Sequence, residues 1–169
     1  MTTTRKITLT GMALCTGVAM LFVLAVSSWA QGPPQTGAGT GTIVDLKVLD
    51  SREDGTNRIE TRELTVDLEG DLDGTFVQEV RGVVRADGQV RFQGTGEFDG
   101  TLEGCGAGTV HFRLNGRGQA GEPPGLPATT VQATVVDQAS NPRPATGRAT
   151  IEQTGLNLSY EVEYVCHAE

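Results

Sequence analysis

Two histidines, three cysteines and a short run of acids are the residues of this 169-residue chain with the most obvious chemistry. Cys105, Cys166, His111 and His167 could in principle form a tetrahedral zinc site. Structural zinc sites draw their ligands from closely spaced pairs. Cys105 and His111 stand six apart, and Cys166 and His167 are adjacent, where neighbours on a strand point to opposite faces. No metal site is therefore expected. Glu69-x-Asp71-x-Asp73-Gly74 resembles the first half of a calcium loop, but Val80 stands where a bidentate Glu is needed. An acidic turn is the simpler reading. The chain has no Gly-x-Ser-x-Gly elbow, no His-Glu-x-x-His and no Gly-x-Gly-x-x-Gly leading into a helix. No cofactor is implied, and no residue can be named as catalytic.

The N-terminus sets the compartment. Arg5 and Lys6 precede an uncharged apolar stretch from Gly11 to Val26, and Ser28-Trp29-Ala30 places small residues three and one positions before a cut. This is the pattern of a secretory signal peptide. The stretch is shorter than the roughly 18–20 residues that span a bilayer comfortably. Residues 1–30 are therefore expected to be removed, which leaves no membrane segment and places the protein in the cell envelope or outside the cell. The remainder carries 11 Lys and Arg against 21 Asp and Glu. That balance excludes nonspecific coating of nucleic acid or of an anionic membrane. In an oxidising compartment the two remaining cysteines, Cys105 and Cys166, are expected to form one disulfide. It would close a loop of about 60 residues, worth on the order of 4 kcal/mol in the chain-entropy picture.

The elements that must position these residues read as strands. Gln31 to Gly41, rich in Gly, Pro and Thr, reads as a flexible leader. From Thr42 to Glu169 a single domain shows apolar residues at every second position. Val44, Leu46 and Val48 share a face, as do Leu64, Val66 and Leu68. Phe76, Val80 and Val84 follow with Gln78 on the same parity. Then come Val90, Phe92 and Phe98; Val110, Phe112 and Leu114; Val131, Ala133 and Val135; Ala149 and Ile151; and Leu156, Leu158, Tyr160, Val162 and Tyr164. That makes about eight strands, each with one apolar and one polar face. Asp87-Gly88 favours a type I′ hairpin. Leu68-Glu69-Gly70-Asp71-Leu72-Asp73-Gly74 and Phe98-Asp99-Gly100-Thr101-Leu102-Glu103-Gly104 form a weak repeat, read as two similar strand connections. Antiparallel strands with one wet face suit a sandwich or a closed barrel.

Gly70 to Gly118 carries a further signal. Gly74-Thr75, Asp87-Gly88, Phe92, Phe98-x-Gly100-Thr101, Glu103-Gly104, Gly108-Thr109, Phe112 and Gly116-x-Gly118 follow in order, and Thr146-Gly147, Leu158 and Tyr160 continue it. This pattern resembles a bacterial domain family of unknown function related in fold to the allene oxide cyclase-like barrels, the fold group of the plant dirigent proteins. The resemblance implies an eight-stranded antiparallel barrel with a central cavity and carries no catalytic residue with it.

The inward aromatics are then the place to look for function. Phe92, Phe112, Tyr160 and Tyr164, with Gln78 as a polar group among them, are the candidate ligand-binding residues. Two functions follow as expectations. One is a non-enzymatic exported barrel that binds a small apolar ligand or a partner. The other is a barrel that steers the cyclisation or coupling of a reactive intermediate, which needs shape and a polar anchor more than a nucleophile. A structural protein that forms a homo-oligomer through its wall is the third.

Overall fold

The computed structural model describes residues 33–121, 125–136 and 144–166, and all its regular elements are strands. They are β1 (Gln35–Asp54), β2 (Asn57–Gly70), β3 (Leu72–Val84), β4 (Gln89–Leu102), β5 (Gly106–Gly121), β6 (Gly125–Val135), β7 (Pro144–Thr154) and β8 (Asn157–Cys166). Each pairs antiparallel with the next, and β8 returns to pair with β1, so the sheet closes into an eight-stranded barrel. A single Cys105–Cys166 disulfide bridges it, with Cα atoms 5.4 Å apart. The architecture follows from the alternation. Every strand has one face that must leave water, and closure buries all of those faces together while covering most strand edges. Val66, Phe98, Val110 and Leu114 lie wholly inside.

The connections define two ends. The β2–β3 and β4–β5 connections and the disulfide lie at what we call the upper end; the β1–β2, β3–β4 and β7–β8 turns lie at the lower. The two copies of the weak repeat meet at the upper end, where Leu72 pairs with Leu102 and the Glu103 N–H donates to the Asp71 carbonyl at 2.9 Å.

Four expectations are corrected. Gln35 to Gly41 is not a flexible leader. It is the first part of β1, paired with β8 from Gln35–Tyr164 to Thr42–Asn157. Small residues suit that position, because a Cβ at Gly39 would collide with the Tyr160 ring opposite it. Val44 and Val48 are not core residues: they are 54% and 52% exposed, whereas Ile43 is buried. Register shifts between Ile43 and Asp45 and between Val48 and Asp50 break the alternation there. Leu156 sits in the tight β7–β8 turn and is exposed. The Asp87-Gly88 turn is not type I′, which needs positive φ at both central residues. Only Gly88 has it, at 79°. The Gly88 N–H donates to the Arg85 carbonyl at 2.9 Å, and the Arg85 N–H to that of Gln89 at 2.9 Å. That is a three-residue loop ending in a left-handed glycine. The expected signal peptide and His167 lie outside the described residues.

Candidate functional site

The barrel interior gathers three of the five candidate residues. Gln78, Phe112 and Tyr160 line one cavity together with Phe76, Phe98 and Ile151. Its volume is about 30 Å³, which is room for one or two waters and not for an organic ligand. Phe76 and Phe112 pack edge to face across it, ring centroids 5.8 Å apart. Phe92 and Tyr164 stand outside that cavity. Phe92 lies half-buried near the lower end, opposite Gly82 and Gly116 on its neighbouring strands. Tyr164 lies at the upper end, where its hydroxyl donates to the Glu103 carbonyl at 2.7 Å.

Both ends of the barrel are occupied. At the upper end the Leu72 N–H donates to the Tyr160 hydroxyl at 2.8 Å, and that hydroxyl has the carbonyls of Leu72 at 3.1 Å and Glu69 at 3.2 Å as acceptors. Burial pushes the Tyr160 hydroxyl above the usual tyrosine range, and burial does the same to Tyr164. Neither is poised as a base at neutral pH. On the inward parity at the lower end Glu60, only 9% exposed, lies between Arg58 and Arg62. The Arg62 Nε donates to Glu60 Oε2 at 2.7 Å. The Arg58 Nε is equally close to Oε1, at 2.7 Å, but without an aligned hydrogen bond, so it acts there as a charge and not as a directed donor.

The acidic turn does not form a calcium loop. Asp71 accepts the Ala38 N–H at 2.7 Å, and its carboxyl shares a hydrogen bond with that of Glu103. Among the described residues no group of three His, Cys, Asp or Glu is placed to hold a metal. The Glu103 hydrogen bond, then the Ala38 N–H, hold Asp71 below the usual carboxylate range; the same hydrogen bond and the Asp71 charge raise Glu103. The signs are opposite. Glu103 keeps a proton in the folded state that the unfolded chain has lost, so its contribution to stability falls as pH rises through its folded pKa. The Asp71 contribution is present above its ordinary pKa and is lost as pH falls through the lowered value. Glu103→Gln keeps a donor for Asp71 without the second charge. Its melting temperature is expected to match wild type near pH 4 and to exceed it increasingly toward pH 7. Paired thermal melts across that range test this, and a constant gap would contradict it.

The outer wall holds what the sequence reading missed. The odd-numbered residues of β3, β4 and β5 face out, and strand register lines them up in rows. Arg91 stands directly opposite Arg117, with Val83 on one side and Thr130 on the other. The next row is Arg81, Gln93, Asn115 and Gln132, and the row beyond it holds Glu79, Thr95, Arg113 and Thr134. Arg81, Arg91, Arg113 and Arg117 are all exposed. Arg81, Arg91, Gln93 and Asn115 line a shallow depression of about 320 Å³ with Ile59 and Val83. Four guanidiniums and one carboxylate thus occupy this part of the wall of a strongly acidic chain. Acids gather on the opposite side, with Asp67 and Glu69 on β2 and Glu161 and Glu163 on β8. Like charges directly across a strand pair are destabilising. Cross-strand electrostatics therefore do not favour the Arg91–Arg117 pair.

No family model matches the chain, and no curated protein matches it. One solved structure similar to it is a protein with unknown function from Clostridium acetobutylicum ATCC 824. The two are 10% identical, with a TM-score of 0.46 over 78% of this chain and 98% of that one.

Proposed function

We propose that this is an exported, non-catalytic binding module that engages an anionic polysaccharide across the outer wall of β3 to β6. The observation that carries the proposal is the facing pair Arg91 and Arg117, flanked by Arg81 and Arg113. A carboxylate or sulfate placed between the two guanidiniums would turn mutual repulsion into two charge-assisted hydrogen bonds. Gln93, Asn115, Gln132, Thr95 and Thr130 lie between the arginines and can hydrogen-bond sugar hydroxyls. Export rests on the signal-peptide pattern of residues 1–30. A polysaccharide suits the wall better than a lipid surface, because the rows hold polar side chains with Val83 as the only large apolar one.

The test is titration with dextran sulfate and with polygalacturonate. Binding is expected to saturate and to weaken steeply with salt. Arg91→Ser combined with Arg117→Ser is expected to weaken it at least about tenfold, the effect of losing one charge-assisted contact. The same variant should melt no lower than wild type, since it removes a repulsion. Duplex DNA and phosphatidylglycerol vesicles serve as the other arms. Silence with both polysaccharides, or binding to vesicles alone, would overturn the reading.

An apolar ligand inside the barrel, and with it a cyclising or coupling enzyme, would need far more room. Ligand cavities run from about 300 Å³ upward, and the cavity that Gln78, Phe112 and Tyr160 line among the described residues holds about 30 Å³. The tyrosine hydroxyls that could orient such a ligand are already bonded to the backbone of the upper connections. A hydrophobic dye is expected to show no saturable signal with the folded protein.

A further inference from the structure

The barrel wall is incomplete along one strand. β1 pairs with β2 as far as Asp54 but with β8 only from Gln35 to Thr42. The last contact on the β8 side is the Ile43 N–H, which donates to the Leu156 carbonyl at 2.8 Å. Beyond it, among the described residues, no strand covers that edge of β1. Of the four large apolar residues of this stretch, Val44, Val48 and Leu49 are each more than half exposed, and Leu46 is partly buried against the core. Val44 and Val48 are residues whose spacing with Leu46 reads as a core face. Apolar side chains left in water beside an open strand edge have the form of half an interface.

We propose that two copies of the chain pair through this edge, antiparallel, about a two-fold axis at Leu46. The sequence Val44-Asp45-Leu46-Lys47-Val48 is self-complementary in that register. Leu46 meets its symmetry mate, Asp45 meets Lys47, Lys47 meets Asp45, and each Val44 meets a Val48. A two-fold contact presents the same patch on both partners, so every pair off the axis occurs twice. The register is specific. Centring the axis on Asp45 or on Lys47 would set like charges face to face. A shift by one residue would set inward and outward side chains against each other. The two register shifts of β1 fall at Val44 and Leu49 and leave Asp45 to Val48 as a regular segment paired in order with Thr65 to Arg62. Lys47, exposed, donating to Glu63 at 2.9 Å and within 3.2 Å of Asp45 in its own chain, deters other strands from adding to the edge. Against a second copy it gains a further opposite charge.

The purified protein should therefore show a concentration-dependent dimer by light scattering across a hundredfold range. Lys47→Asp should abolish it, and Asp45→Lys with Lys47→Asp should restore it, since the swap preserves the complementarity. Leu46→Cys supplies a readout that does not depend on charge. Mild oxidation should link the two copies through residue 46 to itself, as peptide mass mapping would show. A wild-type protein that stays monomeric throughout would overturn the proposal. So would a dimer that survives Lys47→Asp and yields no link at residue 46.

Discussion

A chain carrying Cys105→Ser and Cys166→Ser is expected to unfold about 4 kcal/mol more easily than the oxidised wild type. The bridge joins residues separated by 61 positions, so cutting it frees a long stretch of the unfolded chain. Most of the loss should arise in the unfolded state, because the native contacts at the upper end persist without the sulfur bond. The Tyr164 hydroxyl still ties β8 to the β4–β5 connection through the Glu103 carbonyl. Both cysteines are only half-buried, so serine hydroxyls there can reach water. Urea titration should consequently show a lower midpoint and a steeper slope, as a less constrained unfolded chain exposes more surface. Reducing the wild type should reproduce the variant. A loss under about 1 kcal/mol would mean that the unfolded chain is compact without the bridge.

Strand number and most strand faces were legible in the sequence because burial is decided locally. Alternation at Leu64-Val66-Leu68 or Leu158-Tyr160-Val162-Tyr164 needs no knowledge of the partner strand, and those residues are buried. The failures share a different cause. Gln35 to Gly41 carries no apolar stripe of its own; it is a strand because β8 offers it hydrogen bonds and Tyr160 needs the space above Gly39. Val44 and Val48 obey the period and are exposed all the same, since β8 begins only at Asn157. The arginine wall was hidden for the same reason. Arg91 and Arg117 are far apart in the chain, and only the register of β4 on β5 makes them neighbours. The signal that could have found them was the scarcity of Lys and the spacing of Arg81, Arg91, Arg113 and Arg117 on one parity of three consecutive strands.

The two proposals place opposite sides of one barrel in different roles. The open edge of β1 adjoins acidic β2 and β8, and the arginine wall lies across the barrel on β3 to β6. A dimer through β1 would leave both arginine walls free and point them outward. Two sites on one rigid body would then engage a long polyanion with a second binding step that is intramolecular. Lys47→Asp would weaken attachment to a long chain and leave affinity for a short oligosaccharide unchanged. That contrast separates the two proposals, because failure of the wall would abolish both kinds of binding.

Tyr160→Phe is expected to cost about 1–3 kcal/mol, the penalty for a buried donor left without its acceptor. The ring is retained and keeps its place over Gly39, so no cavity opens and the measurement isolates one oxygen. That oxygen accepts the Leu72 N–H at 2.8 Å in a buried bond, and its own proton goes to the carbonyl of Leu72 or Glu69. It thereby holds the chain where β2 turns into β3 with only Asp71 between them. Tyr164→Phe should cost less, because it removes a donor from a carbonyl that is only partly buried. Alkaline pH supplies an independent readout. Burial raises the Tyr160 pKa above its ordinary value of 10.0, so the folded state holds a proton that the unfolded chain releases. The stability this contributes is complete below about pH 10 and declines as pH rises beyond it. Phenylalanine has no proton to lose, so the variant should be less stable than wild type at pH 7 and should lose less between pH 10 and 12. Parallel denaturant curves at those pH values decide it: an unchanged alkaline slope would mean that the Tyr160 hydroxyl is not what ties β8 to the upper end.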